Sequence, residues 1–194
     1  PAVNDAMSSG IPIIAIDTGV SGAEVTSFVA TDNYAVAKVQ GAVAATLVND
    51  GDTVIYVTGN QAQSTGQERR NGFMEAFSAA RPGSKILEVP TEWNSQQAQE
   101  GVEAVLNSNA DVKMVVNAWD GGTMGAKAAM ENLGYSAGDV KLVGFDGASD
   151  AIAAMDEGWV HADTAQMLYQ MGYQGIKAAA AAATPQYDYD PYGD

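Results

Sequence analysis

Residues 112–158, VKMVVNAWDGGTMGAKAAMENLGYSAGDVKLVGFDGASDAIAAMDEG, decide the fold. Two apolar runs in this stretch, Val112–Trp119 and Val140–Asp146, read as continuous Val and Leu without strict polar alternation. An Ala-rich stretch with helical character follows each run, over Gly122–Leu133 and Ser149–Glu157. Continuous apolar strands are typical of a parallel sheet that is buried on both faces. The stretch therefore predicts two consecutive strand–helix units of a parallel sheet.

The same order of strand, polar loop and helix repeats on both sides of this stretch. The further predicted strands are Ile11–Asp17, Thr53–Gly59, Lys85–Thr91 and Val160–Gln166, and the further predicted helices are Tyr34–Val48, Gln67–Ala80, Ser95–Asn107 and Met167–Ala183. Strands that alternate with helices form right-handed βαβ units. The predicted fold class is therefore α/β, with doubly wound parallel sheets.

The beginning and the end of the chain do not fit a complete domain. Residues 32–166 hold enough strands for a sheet of their own, whereas Pro1–Thr31 offers a helix end, one strand and a connector, Gly22–Thr31, that is either irregular or a short strand. Either Met167–Asp194 and a segment outside the chain complete a second sheet, or the chain is a fragment; we favour the fragment. The Asp- and Tyr-rich tail Thr184–Asp194 is either a partner-binding element or a loosely held end, and we favour the second reading.

Composition excludes several function classes. The 194 residues include 24 Asp and Glu against 9 Lys and Arg, a net charge of −15, and they contain no Cys. Without a basic cluster we expect no nucleic-acid binding, and without a long apolar run we expect no membrane span. Because no phosphate loop or nucleophile motif is present and His161 is the only histidine, we expect no metal, no cofactor and no enzymatic activity.

Polar or aromatic residues follow nearly every predicted strand, among them Asp17, Asn117, Trp119, Asp146 and Gln166. In open parallel sheets, ligands bind beyond the carboxyl ends of the strands. Carboxylates and amides satisfy hydroxyl groups, and an indole covers the apolar face of a sugar ring. These residues therefore suit a neutral polyol.

Single residues leave alternatives open. Asp120 and Asp146 are either ligand groups or helix N-caps, and Asp32 is a predicted N-cap. Arg69 lies in a segment predicted to open a helix, where a cation is disfavoured. Its guanidinium either binds hydroxyls or a carboxylate of the site, or forms a surface ion pair, which is the reading favoured for Arg70.

Six collinear stretches resemble one known family: GIPIIAIDTG, SFVATDNYAVAKVQG, VIYVTGNQAQSTGQERRNGFMEAF, VVNAWDGGTMGAKAAMENLG, VKLVGFDGASDAIAAMDEG and DTAQMLYQMGYQGIKA. They are similar to the ribose-binding-like, type I periplasmic sugar-binding proteins of ABC transporters, which share their fold with the effector domains of LacI-type repressors. The resemblance implies two α/β lobes that close on a sugar. It makes 32–166 the second lobe and residues 1–31 and 167–194 a partial first lobe that lacks its N-terminal βαβαβ block.

The resemblance also implies which residues bind the sugar. Asp17, Asp32, Arg69, Asp146 and Gln166 match sugar-binding positions of the family. At Thr18 and Trp119 the family's ribose binders carry arginine and asparagine instead, so a sugar or polyol other than ribose is expected. We add Trp119 to the expected site, and Trp93 either stacks on the ligand or packs against its own loop.

The resemblance finally implies a function. We expect a solute-binding protein that captures a sugar or polyol between its lobes and presents it, without chemistry, to an ABC transporter permease. It would act as a monomer in the periplasm or another extracytoplasmic space. The alternative is the effector-sensing domain of a LacI-type repressor, against which the strong negative charge counts.

Overall fold

The structure is a computed structural model that describes residues 1–184. The two readings of the tail Thr184–Asp194 therefore concern residues that, apart from Thr184, lie outside the described part of the chain. Helices and strands mostly alternate along the chain. In chain order they are α1 Ala2–Ser8, β1 Ile14–Ile16, β2 Ser27–Val29, α2 Asn33–Thr46, β3 Thr53–Val57, α3 Ser64–Ala80, β4 Lys85–Val89, α4 Ser95–Ser108, β5 Val112–Asn117, α5 Asp120–Asn132, β6 Lys141–Asp146, α6 Ser149–Asp156, β7 Val160–Ala165 and α7 Leu168–Ala183.

The chain divides into two compact units. The first unit comprises Pro1–Asp32, Gln63–Thr65 and the described chain from Met167 onward. The second unit comprises Asn33–Ala62 and Gly66–Gln166. Each unit is described by itself below.

The second unit is built on a five-stranded parallel sheet with the strand order β4-β3-β5-β6-β7. The chain runs from β3 outward to β4 and then returns to β5 on the other side of β3. This reversal is the topological switch point, where open α/β sheets bind their ligands beyond the carboxyl ends of the strands. The topology therefore directs attention to the loops that follow β3 and β5.

The core of this unit explains the continuous apolar strands. Every residue of β3 is buried, because helices cover both faces of the sheet. Tyr56 of β3 stacks on Phe73 of α3 with ring centroids 4.4 Å apart, and Phe73 stacks on Phe77 at 5.2 Å. Helix α2 approaches α3 at Gly41, where an added Cβ would lie 2.8 Å from the carbonyl oxygen of Phe73. The site described below therefore rests on a closely packed sheet.

The first unit is small. Strands β1 and β2 form a two-stranded parallel sheet in which Ile14 pairs with Ser27 and Ile16 with Val29. Helix α7 packs on this sheet, so that a Cβ at Gly175 would lie 2.3 Å from Cδ1 of Ile16. Several large apolar side chains of this unit remain exposed: Ile11, Phe28, Met167, Tyr169 and Ile176.

The α/β class with parallel sheets is confirmed, and each predicted strand and helix is present with shifted ends. The connector Gly22–Thr31 contains the short strand β2, which agrees with the second of the two predicted alternatives. One prediction about Arg69 is wrong. Helix α3 begins at Ser64 rather than Gln67, so Arg69 lies in the second turn and not at the positive end of the helix.

Candidate functional site

Arg69 is the centre of a polar cluster in the second unit, at the switch point between β3 and β5. Its side chain is buried, with 3% of the residue exposed. Nε donates to Oδ1 of Asn33 at 2.8 Å, and Nη1 donates to the carbonyl oxygen of Ala118 at 2.6 Å and to Oδ1 of Asp146 at 2.9 Å. The guanidinium also lies over the ring of Phe145, 4.0 Å from its centroid. These contacts fix the position of the cation before any ligand arrives.

Asp146 is the anionic partner of Arg69 at the end of β6. Its Oδ1 also accepts from Nε2 of Gln166 at 2.6 Å, and its Oδ2 lies 3.4 Å from the backbone nitrogen of Asp120. Burial raises the pKa of the Asp146 carboxyl, while Arg69 and Gln166 act against this by stabilising the charged form. The side chain is still 25% exposed. Asp146 therefore holds partly exposed oxygen lone pairs in a fixed position.

Two tryptophans form an aromatic wall beside the ion pair. Trp93 follows β4 and Trp119 follows β5, and their rings are perpendicular with centroids 5.4 Å apart. The guanidinium carbon of Arg69 lies 5.8 Å from the Trp93 ring. Trp93 occupies the space beside Gly59, where an added Cβ would lie 2.0 Å from its indole. Of the two rings, Trp119 is the more buried, with 9% of the residue exposed.

The N-cap explanation for Asp120 and Asp146 is wrong. The N-caps of α5 and α6 are Trp119 and Ala148, and neither uses a side-chain cap. Asp120 is instead a buried first residue of α5 whose carboxylate accepts from the backbone nitrogens of Ala148, at 2.7 Å, and Phe145, at 3.2 Å. Both carboxylates therefore serve contacts between elements rather than the ends of their own helices.

The structure brings together four of the six expected site residues: Arg69, Trp119, Asp146 and Gln166. Asp17 and Asp32 lie in the first unit. Asp17 follows β1 with a left-handed φ of 72° and accepts from the hydroxyl of Thr18 at 3.0 Å. Asp32 is exposed at the boundary of that unit.

A surface ion pair was one of two alternatives for Arg69 and the favoured prediction for Arg70. The structure shows such a pair for Arg70 only. Nε and Nη2 of Arg70 donate to both carboxylate oxygens of Glu88, at 2.5 and 2.6 Å, in a half-exposed pair. Two adjacent arginines thus hold different positions, one in the site and one at the surface.

Sequence reasoning missed three residues of the cluster. Asn33 anchors Arg69, and Gln40 donates from Nε2 to the carbonyl oxygens of Asn117 and Gly144, both at 2.9 Å. Asp163, in the middle of β7, accepts from the backbone nitrogen of Gly147 at 3.1 Å. The available signal was polarity in otherwise apolar elements: Gln40 interrupts an Ala-rich helix, and Asp163 interrupts a strand.

The arrangement provides fixed donors, fixed acceptors and an aromatic surface, a combination that suits hydroxyl groups and an apolar ring face. Among residues 1–184, no group of three or more His, Asp or Glu side chains is placed to hold a metal ion. Within the same residues, no helix has both the length and the apolar character that a membrane crossing requires.

Comparisons with known proteins identify relatives of this chain. The family model described as periplasmic binding protein domain matches residues 1–186. The ribose import binding protein RbsB of Escherichia coli is 32% identical over 178 residues, which are 92% of this chain and 59% of that protein. The chain thus spans less than two thirds of the length of this relative.

Two solved structures share the fold and carry bound sugars. One is an ABC transporter periplasmic solute-binding protein from Actinobacillus succinogenes with bound D-allose. It superposes with a TM-score of 0.86 at 25% identity, and the match covers 100% of this chain and 71% of that protein's chain. A solute-binding protein from Agrobacterium vitis, with bound D-fucose, has a TM-score of 0.88 at 25% identity, over 98% of this chain and 66% of its own. Both of these structures are named as solute-binding proteins of ABC transporters. With the family match extending over nearly the whole chain, the protein belongs to the periplasmic binding protein domain family.

Proposed function

We propose that the protein is a solute-binding protein that captures a neutral monosaccharide or polyol and presents it to an ABC transporter permease. The observation that carries the proposal is the partly buried Arg69–Asp146 ion pair, joined by Gln166 and flanked by two indoles at the switch point of the sheet. No chemistry is involved: ligand contacts favour a closed arrangement of the protein through a population shift.

The charge of the cluster supports a neutral ligand. Asp146 already compensates the charge of Arg69, and the chain as a whole carries −15. An anionic ligand would therefore meet no uncompensated cation at Arg69 and would be repelled by the whole molecule. Sugar hydroxyls, in contrast, can donate to Asp146 and accept from Arg69 without changing the charge of the site.

The division of the chain supports the proposed lobes. We assign residues 32–166 to the second lobe and residues 1–31 and 167–194 to a partial first lobe. The boundaries between the compact units lie close to these limits, at Asp32 and Gln166. Asp17 and Asp32 are our candidates for ligand groups of the first lobe, and the left-handed backbone at Asp17 is the kind of strain often found at ligand sites.

The family supports the remaining assignments. Its periplasmic relatives work outside the cytoplasm, and we assign the same kind of location, a permease partner and a monomeric state to this protein. The acidic charge suits a soluble monomer, because net charge far from zero opposes self-association.

Isothermal titration calorimetry of the full-length protein tests the function. We expect saturable binding of at least one neutral sugar or polyol other than ribose, with D-allose and D-fucose as the first candidates and ribose for comparison. Ribose 5-phosphate, which adds an anionic group to a neutral sugar, is the control and should not bind. The proposal fails if no neutral sugar or polyol binds, or if the phosphorylated sugar binds more tightly than the neutral ones.

A further inference from the structure

Two carboxyl groups meet in the interior of the second unit, beneath the strand that carries Asp146. Oδ2 of Asp163 and Oδ1 of Asp120 lie 2.4 and 2.6 Å from the point that a Cβ would occupy at Gly144. Only a residue without a side chain leaves room there for both oxygens. The two carboxyl oxygens therefore lie next to each other on the same side of Gly144, in the space that a side chain would fill.

One oxygen of this pair lacks a donor. Oδ2 of Asp163 is buried, and no N–H or O–H group among the described residues donates to it. Its neighbour Oδ1 of Asp120 already accepts from the backbone nitrogen of Phe145 and the hydroxyl of Thr123. Two ionised carboxylates would repel each other in this position, whereas one proton between them makes a hydrogen bond from Asp163 to Asp120.

The pair holds the turn that presents Asp146. Asp120 accepts from the backbone nitrogens of Phe145 and Ala148, and Asp163 accepts from that of Gly147. These three amides surround Asp146, whose φ of 129° is left-handed and is followed by Gly147 at 80°. A non-glycine residue keeps such a conformation only where its surroundings impose it. The carboxyl pair supplies that restraint.

We propose that Asp120 and Asp163 act as a proton-sharing pair that positions the ligand carboxylate of Asp146, so that loss of the shared proton weakens sugar binding. The inference rests on the proposed function for its effect on the sugar. The placement of the proton and its effect on the turn do not depend on that function.

The electrostatic surroundings agree with a retained proton. Burial, a hydrogen bond to Asp120 and the charges of Asp120 and Asp146 raise the pKa of Asp163 to about 8. The other ionisable groups on the strands and helices packed around β7 are Asp146, Lys141, His161, Tyr34, Lys38, Asp150 and Asp156. Lys38 is bonded to Glu75 and Lys141 lies against His161, so neither cation pairs with Asp163.

The test compares three proteins at full length: wild type, Asp163→Asn and Asp163→Ala. Asparagine can accept from Gly147 through its oxygen and donate to Asp120 through its nitrogen at every pH. Alanine can do neither. Asp156→Asn, at an exposed carboxylate at the end of α6, is the matched control for the loss of one negative charge.

The first readout needs no sugar. Amide chemical shifts of Phe145, Gly147 and Ala148 are followed by NMR from about pH 6.5 to about pH 9.5, a range that spans the raised pKa. We expect these amides to titrate together with a midpoint near pH 8 in the wild type and in Asp156→Asn, but not in Asp163→Asn. If these amide chemical shifts do not change with pH across this range in the wild type, the proposal of a shared proton is refuted.

The second readout is sugar affinity by calorimetry at about pH 7 and about pH 9.5. Coupling of this kind changes affinity by about fivefold or more. We expect such an alkaline loss in the wild type and the control, its disappearance in Asp163→Asn, and weak binding of Asp163→Ala already at pH 7. If the amides titrate but the sugar affinity of the wild type does not change, the carboxyl pair does not position Asp146 for binding. A wild type that binds no sugar at any pH refutes the proposed function and the effect on binding, and the amide titration still decides whether the proton is shared.

Discussion

At the scale of single residues, Arg69 of helix α3 shows how a buried cation is accommodated beside an apolar sheet. A buried charge is costly unless it is paired and hydrogen-bonded. Arg69 has a carboxylate, a carbonyl and an amide oxygen as partners, together with the face of Phe145. Its side chain is thus already fixed in one conformation, so a ligand that binds to it pays a smaller cost in side-chain entropy.

The two adjacent arginines allow a matched test. We expect Arg69→Ala to lower sugar affinity about 10-fold to about 150-fold, because the loss of a charged hydrogen-bond donor costs about 1.5–3 kcal/mol. Arg70→Ala removes the same side chain from the surface pair with Glu88 and should leave the affinity unchanged. Calorimetry with both variants decides. Equal sugar affinities of the two variants would show that Arg69 does not contribute to sugar binding.

At the scale of secondary structure elements, the site is a property of strand ends. Asp17, Trp93 and Asp146 have positive φ values of 72°, 59° and 129°, and each stands at or just beyond the carboxyl end of a strand. A positive φ ends the extended conformation of the strand, so the side chain at that position does not follow the alternation of the strand. The candidate ligand groups therefore depend on the geometry of the ends of β1, β4 and β6.

The end of β3 offers a test of this dependence. Gly59→Ala adds a methyl group 2.0 Å from the indole of Trp93, so the ring has to move while the backbone stays. We expect a changed near-ultraviolet circular dichroism spectrum and weaker sugar binding, with little change in the free energy of unfolding. Gly172→Ala, in α7 where the added Cβ meets nothing within 4 Å, is the control. An unaltered spectrum and affinity in Gly59→Ala would show that Trp93 is not part of the binding surface.

The elements were predictable because their signal is local. Strands such as β3 and β5 are buried on both faces and read as continuous apolar runs. The start of α3 was misplaced because Ser64, Thr65 and Gly66 are weak helix formers, and only the structure shows that the helix includes them.

The site was predictable in part. Arg69, Asp146 and Gln166 were expected from strand ends and the family resemblance, and the structure joins them. Asp163 and Gln40 could not be found in this way, because their partners are backbone groups and carboxylates far away in the sequence. Only tertiary structure creates those contacts, such as the one from Gln40 to the carbonyl oxygen of Gly144.

At the scale of the whole molecule, the carboxyl pair couples stability to pH. The pKa of Asp163 is about 8 in the folded protein and about 3.9 in an unfolded chain, so folding takes up a proton between these values. Stability from this group is therefore fully present below about pH 4 and is lost as the pH rises toward 8. The lowered pKa of His161 acts in the opposite direction and is common to wild type and variant.

Denaturant unfolding at several pH values checks this prediction. The free energy of unfolding of the wild type, minus that of Asp163→Asn, should fall as the pH rises from about 5 to about 8. Taking the difference cancels the contribution of His161. A difference that stays constant or rises over this range would show that Asp163 is ionised in the folded protein.

The central claim is that Arg69, Asp146 and the two indoles form a sugar site, and a crystal structure of the full-length protein with its best-binding sugar tests it most directly. We predict sugar hydroxyls within about 3 Å of Arg69 and Asp146, the usual hydrogen-bond distance, and an apolar face of the ring against Trp93 or Trp119. A sugar bound without contact to Arg69 and Asp146 would contradict the account.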